Sequence, residues 1–134
     1  NNCISLKEKD DITYFLCGKD GKGSVTAFDK TGTQVGRLEL GYYPADFDIS
    51  DNIYIIESGK NIVRAYTKDF KPLENYDISY SSDGVNTFPK MIAVSRQNEI
   101  YCVISEKNSI NSERITKNIK EVLNFTLTLL FLLF

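Results

Sequence analysis

Two carboxylates, Asp46 and Asp48, stand two residues apart in a stretch of alternating polar and apolar residues. In an extended strand such residues point to the same side, so both carboxylates should share one face. Carboxylate oxygens suit Ca²⁺, but calcium takes roughly six to eight oxygen ligands, which one strand cannot supply. The sequence therefore assigns no metal site, and Asp46 and Asp48 are the residues that could contribute to one completed by other segments.

Histidine is absent from the 134 residues. This excludes Ser-His-Asp and Cys-His nucleophilic catalysis and imidazole ligation of a metal. The glycine-bearing segment 19–23 lacks the spacing of a phosphate-binding loop and predicts a turn between strands. A formal net charge of -2 also argues against an electrostatically driven nucleic-acid binder. We accordingly predict no catalytic residue, no cofactor and no nucleic-acid partner.

Three cysteines leave at least one thiol unpaired, and none belongs to a C-x-x-C motif of zinc or redox proteins. Cys3 and Cys17 fall on neighbouring strands of one predicted hairpin, where they could form a disulfide or remain thiols. Cys102 falls in an apolar run and is interpreted as a small core residue. The cysteines do not indicate a cellular compartment.

A pattern of apolar and turn residues recurs three times along the chain. An isoleucine opens the central apolar run of each copy, at Ile12, Ile53 and Ile100, with spacings of 41 and 47 residues. A period of this size, built from short β runs, is typical of propeller blades. The sequence thus predicts an all-β fold, a β-propeller fragment of about three four-stranded antiparallel blades.

Each copy has the same order of strands and turns. An alternating run is followed by a continuous apolar run, as expected for a central strand covered on both faces, and then by two further strands. We expect a partial first blade over residues 1–40, a second blade over 41–78, a partial third blade over 79–111 and an apolar tail over 112–134.

The repeated pattern, Pro-x-x-Ile-Ala-Val followed by Ile-Tyr, resembles the NHL repeat of six-bladed propellers. The resemblance covers about residues 2–110, and Asp46 and Met91 depart from it where that repeat usually has glycine. These motifs imply a fold and leave the ligand open. The matching residues are Pro44, Phe47, Ile49, Asn52, Ile53, Tyr54, Val63 and Tyr66 in the middle copy, and Pro89, Ile92, Ala93, Val94, Ile100 and Tyr101 in the last.

Propellers bind partners at their ends, through the loops that connect strands. The two loops between predicted blades, 41–44 and 79–88, carry aromatic residues of the kind that recognition surfaces use. Tyr43 and Phe88 share a repeat position and equally fit packing between blades, whereas Tyr42 and Tyr80 have no such structural role. The candidate binding residues are Tyr42, Tyr43, Tyr80, Phe88 and Lys90.

The favoured function is a non-enzymatic repeat module that presents a binding surface to a protein or glycan partner. The resemblance also implies an alternative. The chain would then be a fragment of a six-bladed hydrolase or lyase, of the lactonase type, whose calcium-type site is completed by missing blades.

Residues 112–134 depart from the repeat pattern, with apolar residues first at helical spacing and then nearly continuous. The apolar run is shorter than the roughly 20 residues that a membrane span needs. Three alternatives remain open: a strand or helix packed on an exposed blade face, the truncated start of a membrane anchor through 119–134, or a tail foreign to the propeller, such as a mis-predicted exon.

The predicted propeller is open. Propellers are rings of roughly four to eight blades, which leave only short protected edges. Three blades should therefore leave apolar faces uncovered, and the chain opens inside a repeat, which suggests a piece of something longer. We expect self-association, pairing with the missing blades, or a tail folded across one face.

Overall fold

A computed structural model describes residues 2–78, 88–106 and 109–115, with side chains described as far as residue 103. These residues form three antiparallel sheets, and no helix occurs among them. The first sheet contains β1 (Asn2–Lys9), β2 (Ile12–Lys19), β3 (Lys22–Phe28) and β4 (Gln34–Leu40) in that order. The second contains β5 (Pro44–Ile49), β6 (Ile53–Glu57), β7 (Ile62–Tyr66) and β8 (Tyr76–Asp77), and the third contains β9 (Pro89–Val94), β10 (Ile100–Glu106) and β11 (Ser109–Ile115).

The prediction of an all-β chain with four-stranded antiparallel sheets is confirmed by the first two sheets. The fourth strand of the second blade is predicted over residues 73–78, but β8 covers only Tyr76–Asp77. Pro72 forms only an isolated bridge with Tyr66, because proline has no N–H to donate to a ladder. The segment nevertheless runs beside β7, since the Leu73 N–H donates a hydrogen bond to the Ala65 carbonyl at 2.8 Å.

The sheets stack face to face through two apolar clusters. β6, buried at every position, supplies both. Ile53 and Ile55 face the first sheet, whereas Tyr54 and Ile56 face the third. The continuous apolar run therefore belongs to a strand covered on both sides, as predicted.

Glycines of the first sheet leave room for rings from the second. A Cβ on Gly18 would overlap the Tyr43 ring, and one on Gly36 would overlap the Phe70 ring. The close approach of the two sheets at these points requires a residue without a side chain. The glycines at these two positions thus allow the first and second sheets to approach closely.

The direction in which the side chains point corrects the predicted alignment of Ile12 with Ile53 and Ile100 by one residue. Ile12 packs with Tyr14 on the cluster shared with the second sheet, whereas Ile53 faces back toward the first sheet. Tyr14 and Tyr54 both face the next sheet, so Tyr14, Tyr54 and Tyr101 are the equivalent residues. A slip of one residue moves every side chain to the opposite face, which periodicity of similar apolar residues does not reveal.

The third sheet contains a longer third strand than predicted. β11 pairs with β10 from Ser109 opposite Glu106 to Ile115 opposite Ile100. The predicted third blade ends at residue 111 and is followed by residues at helical spacing, whereas β11 continues as a strand to Ile115. Pairing satisfies the backbone groups along one edge of β10, and this outweighs the helical spacing of a few apolar residues. The remaining tail, 116–134, lies outside the described residues.

The apolar runs predict Ile53, Ile55, Val63, Ile100 and Val103 as core residues, and burial confirms most of them. Ile53, Ile55, Val63 and Ile100 are at most 1% exposed, whereas Val103 is only half-buried. Within the described ranges no helix is long and apolar enough to cross a membrane. The segment 119–134, for which a membrane anchor is one of three alternatives, falls outside those ranges.

Candidate functional site

The first strands of the three sheets lie side by side, and two carboxylates link the second sheet to the third. The Asp46 Oδ2 accepts a hydrogen bond from the Ile92 N–H at 3.0 Å, and the Asp48 Oδ2 accepts one from the Val94 N–H at 2.7 Å. The Asp48 Oδ1 also accepts from the N–H of Ile49 at 2.9 Å. We call Asp46 and Asp48 the carboxylate clamp, because each side chain holds the edge of β9 against β5.

The clamp satisfies donors that an edge strand would otherwise leave unpaired. Burial raises the pKa of Asp46, although the N–H donors of Ile92 and Phe47 oppose that rise. The Lys7 Nζ lies 4.0 Å from the Asp48 Oδ1, at the limit of an ion pair. Both carboxylates are thus engaged by the protein itself, and the described residues contain no group of three or more acidic or cysteine side chains that could hold a metal ion.

The contact between the second and third sheets continues into their first hairpins. The Ser50 Oγ donates to the Ser95 carbonyl at 3.0 Å, and the Asn98 Nδ2 donates to the Asp51 Oδ2 at 2.8 Å. β5 and β9 therefore run parallel and in register, joined by a hydrogen bond at each of three alternate positions.

A second polar cluster lies between the first and second sheets. Glu57, 6% exposed, accepts hydrogen bonds from Arg64 at 2.7 Å and from the Lys60 Nζ at 3.1 Å. The Arg64 guanidinium lies 5.0 Å from the centre of the Tyr42 ring, and the Tyr42 hydroxyl is 3.0 Å from the Tyr66 hydroxyl. We call these five residues the Arg64 cluster.

The neighbouring cations of the Arg64 cluster keep the Glu57 carboxylate ionised. Burial acts to raise the pKa of Glu57, but the hydrogen bonds and charges of Arg64 and Lys60 outweigh burial and hold that pKa below its ordinary value. Burial and the hydrogen bond to Tyr66 raise the pKa of Tyr42 far above its usual range. Tyr42 therefore stays neutral, and its ring can accept the cation of Arg64 on its face.

The predicted binding residues divide between packing and surface positions. Tyr42 belongs to the Arg64 cluster, and the Tyr43 ring packs on Gly18, so both are half-buried. At the start of the third sheet Phe88 is half-buried and Lys90 is exposed. Tyr80 lies outside the described residues.

The strand order brings the loops to two opposite ends of the stacked sheets. The β2–β3 hairpin and the loops 41–43 and 58–61 share one end, which we call the Lys19 end. The turns 10–11, 29–33 and 67–71 share the other, which we call the Asp10 end. Contacts support this division, because Gly18 meets Tyr43 at the Lys19 end.

The Lys19 end carries exposed lysines, with Asp20 in the same hairpin and with Lys60 already paired to Glu57. Exposed Lys19 and Lys22 stand directly opposite each other in the closing pair of the hairpin, and Lys60 lies on the neighbouring loop. A depression of about 170 Å³ opens beside this hairpin. It is lined by Cys17, Gly18, Lys19, Lys22, Gly23, Ser24, Arg37 and Glu39.

Sequence reasoning did not identify the Arg64 cluster. Its members are spread over a loop, two strands and a turn, and no local motif joins them. One signal was present, because Arg64 interrupts an otherwise apolar and aromatic strand at a position that shares a face with Tyr66. A charged residue at such a position predicts a buried partner of opposite charge.

No family model matches the chain, and no curated protein matches it. Its function must therefore be inferred from the residues and their geometry.

Proposed function

We propose that the three sheets are consecutive blades of a β-propeller related to the NHL repeat, and that the chain is a non-enzymatic module with a binding surface at one end. The observation that supports this proposal most directly is the sequential contact of the inner strands, β1 with β5 and β5 with β9. The first sheet also packs one face on the second, and the second packs its other face on the third. Radial stacking of four-stranded sheets around their first strands is the arrangement of propeller blades.

Repetition of turn chemistry supports the same proposal. The Asp29 N–H donates to the Thr33 carbonyl at 2.9 Å, and the Thr67 N–H donates to the Lys71 carbonyl at 2.8 Å. The fourth residue of the first turn, Gly32, has φ 83°, and its counterpart Phe70 has φ 63°. A bulky residue rarely adopts this left-handed conformation. The same turn geometry therefore recurs at corresponding positions although the residue there changes from Gly32 to Phe70.

The engagement of the carboxylate clamp favours a binding module over the alternative, a fragment of a calcium-dependent hydrolase or lyase. An oxygen of each aspartate already accepts an N–H from the next sheet. Ligation of calcium would require these oxygens to exchange backbone donors for the ion. In the proposed propeller the pair joins blades and takes no part in chemistry.

The Lys19 end carries the proposed binding surface. Like charges directly opposed across two strands destabilise a hairpin, and an acidic partner would relieve the repulsion between Lys19 and Lys22. The partner we propose is thus a protein or glycan that carries acidic groups. The half-buried aromatic residues Tyr42 and Tyr43 support this surface from below.

Binding of defined acidic probes tests the proposal. A glutamate-rich peptide and a sulfated oligosaccharide would be titrated against the full chain and against the double variant Lys19→Glu, Lys22→Glu. We expect at least one probe to bind the full chain and to bind the variant roughly tenfold or more weakly. The matched control, Lys30→Glu with Lys71→Glu at the Asp10 end, should retain the affinity of the unchanged chain.

Two outcomes would contradict the proposal. Equal weakening in both double variants would indicate a general charge effect instead of a surface at the Lys19 end. A melting temperature that falls on chelation and rises with added calcium would favour the hydrolase alternative.

The outer face of the first sheet supports a further part of this proposal, association with a second copy of the chain. Phe15 and Phe28 on that face stand at positions equivalent to Ile55 and Tyr66, which in the second sheet pack on the first. The two phenylalanine rings meet edge to face at 5.6 Å, beside an open depression of about 410 Å³, and Leu6 nearby is 54% exposed. A second copy presenting its own third sheet would extend the same stacking.

Light scattering tests this association. We expect the mass of the full chain to rise toward that of a dimer with increasing concentration, and Phe15→Asp to prevent the rise. A chain that stays monomeric at high concentration, or a Phe15→Asp variant that associates equally, would exclude this face as the contact.

A further inference from the structure

Two thiols lie directly opposite each other at the open edge of the first sheet. Cys3 on β1 and Cys17 on β2 are Cα partners in the antiparallel ladder, just beyond an irregularity in register. Directly opposed residues of such a ladder have Cα atoms about 4.5 or 5.5 Å apart, and disulfides span about 4.4–6.8 Å. Both cysteines are free thiols here.

We propose that Cys3 and Cys17 form a dithiol modification site, which a low-molecular-weight disulfide oxidises reversibly to an intramolecular disulfide between β1 and β2. The proposal goes beyond the binding function and does not depend on it.

The reaction proceeds in two balanced exchange steps. The Cys3 thiolate attacks one sulfur of the small disulfide, forms a mixed disulfide and releases one small thiol. The Cys17 thiolate then attacks the Cys3 sulfur, so that the protein disulfide forms and the second small thiol leaves. The protein loses two electrons and two protons, and the small disulfide gains them as two thiols.

The surroundings of the pair assign these roles. Cys3 is exposed, so an external disulfide can reach it first, whereas Cys17 is half-buried. Burial, followed by the hydrogen bond and the proximity of Cys3, raises the pKa of Cys17, which lowers its thiolate fraction and disfavours it as the first attacking thiol. Cys17 also lines the depression beside Lys19 and Lys22, whose charges would attract an anionic disulfide, whereas Arg37 there is paired with Glu39.

The disulfide would cross-link β1, an edge strand, to its neighbour β2. Within the described residues β1 is at the edge of the first sheet, paired only with β2. Its Lys7 reaches Asp48 and its Ile4 packs on the first core cluster. Oxidation would therefore stabilise the attachment of the strand that joins the first sheet to the second.

Intact-mass analysis of the full chain after incubation with glutathione disulfide tests the proposal. We expect a product lighter by two hydrogen atoms, in which proteolysis finds Cys3 linked to Cys17. The variants Cys3→Ser and Cys17→Ser should not give this product, and Cys17→Ser should instead stop at the mixed disulfide on Cys3. Cys102→Ser is the matched control and should react like the unchanged chain, because Cys102 is 2% exposed.

A second measurement separates the site from chance reactivity. Closing a loop of about 15 residues should raise the melting temperature of the oxidised chain by about 5–10 °C. The same chain in concentrated urea should give less of the internal disulfide at the same ratio of glutathione disulfide to glutathione. Accumulation of glutathionylated chain without the internal bond, equal yields in urea, or an unchanged melting temperature would each overturn the proposal.

Discussion

The carboxylate clamp and the Arg64 cluster solve the same problem in opposite ways. Each places carboxylates between two sheets, Asp46 between the second and third and Glu57 between the first and second. Asp46 is held by backbone N–H donors, and its pKa is raised because burial prevails. Glu57 is held by Arg64 and Lys60, and its pKa is lowered because the cations prevail over burial.

The difference shows what each contact contributes. Backbone donors neutralise no charge, but they position the carboxylate against the edge of a particular strand and so set the alignment of β5 with β9. Cations stabilise the charge of Glu57, but the whole cluster then depends on Arg64, which contacts both Glu57 and Tyr42. The clamp should therefore tolerate loss of charge, whereas the Arg64 cluster should not.

Replacing Arg64 should have the largest effect. Arg64→Met keeps much of the aliphatic packing and leaves the nearly buried Glu57 with Lys60 alone. Removal of the sole partner of a buried charge costs about 3–5 kcal/mol of unfolding free energy, and because Lys60 remains we expect a loss at the lower end of that range. Urea denaturation followed by tyrosine fluorescence would measure it.

The matched control is Arg37→Met, since Arg37 is also bonded to a glutamate, Glu39, but both side chains are largely exposed. An exposed pair contributes about 0–1 kcal/mol. Similar losses in the two variants would mean that the burial of Glu57 does not distinguish the clusters.

Loss of one clamp residue should cost less. Asp46→Ala removes the acceptor of the Ile92 N–H, and a buried donor left unsatisfied costs about 1–3 kcal/mol. Asp46→Asn keeps a carbonyl oxygen at that place and should recover a large part of the loss. If Asp46→Asn were as unstable as Asp46→Ala, the charge would matter more than the acceptor, contrary to the comparison above.

The pH dependence of the unfolding free energy should be the smallest effect, but it should have opposite signs for Glu57 and Asp46. The pKa of Glu57 is lower in the folded chain, so its contribution is complete above its ordinary pKa of 4.5 and is lost as the pH falls through the folded value. The pKa of Asp46 is higher in the folded chain, so its contribution declines as the pH rises from 3.8 through the folded value.

Unfolding free energies across the acidic range would measure both signs. The difference between the unchanged chain and Glu57→Gln should increase with pH, and the difference from Asp46→Asn should decrease. Parallel curves for the two variants would contradict the opposite pKa shifts.

Much of the fold could be predicted from residue types alone. Alternation and apolar runs located the strands around Ile53, Ile55 and Ile100, because burial of one or both faces selects those patterns. The facing of the first copy could not be predicted, since Ile12 and Tyr14 are both suitable core residues. Only their contacts with the second sheet place both on the same face.

Less of the candidate site was predictable. Asp46 and Asp48 were recognised as a pair on one strand face, but their partners are backbone N–H groups. Every residue except proline has such a group, so the sequence does not indicate which ones the carboxylates will bind. Tyr42 was identified only as a loop aromatic. Its neighbours Arg64 and Tyr66 stand more than twenty residues away, and nothing local links them.

By itself the sequence determined that the chain forms repeated antiparallel strands, lacks histidine chemistry and has a small negative net charge. Periodicity and composition are local properties, and local properties decide strands and turns. The tertiary structure alone decided which carboxylate meets cations and which meets backbone donors. That choice depends on the stacking of one sheet on the next, where a shift of a single residue in register would exchange the buried and the opposite face.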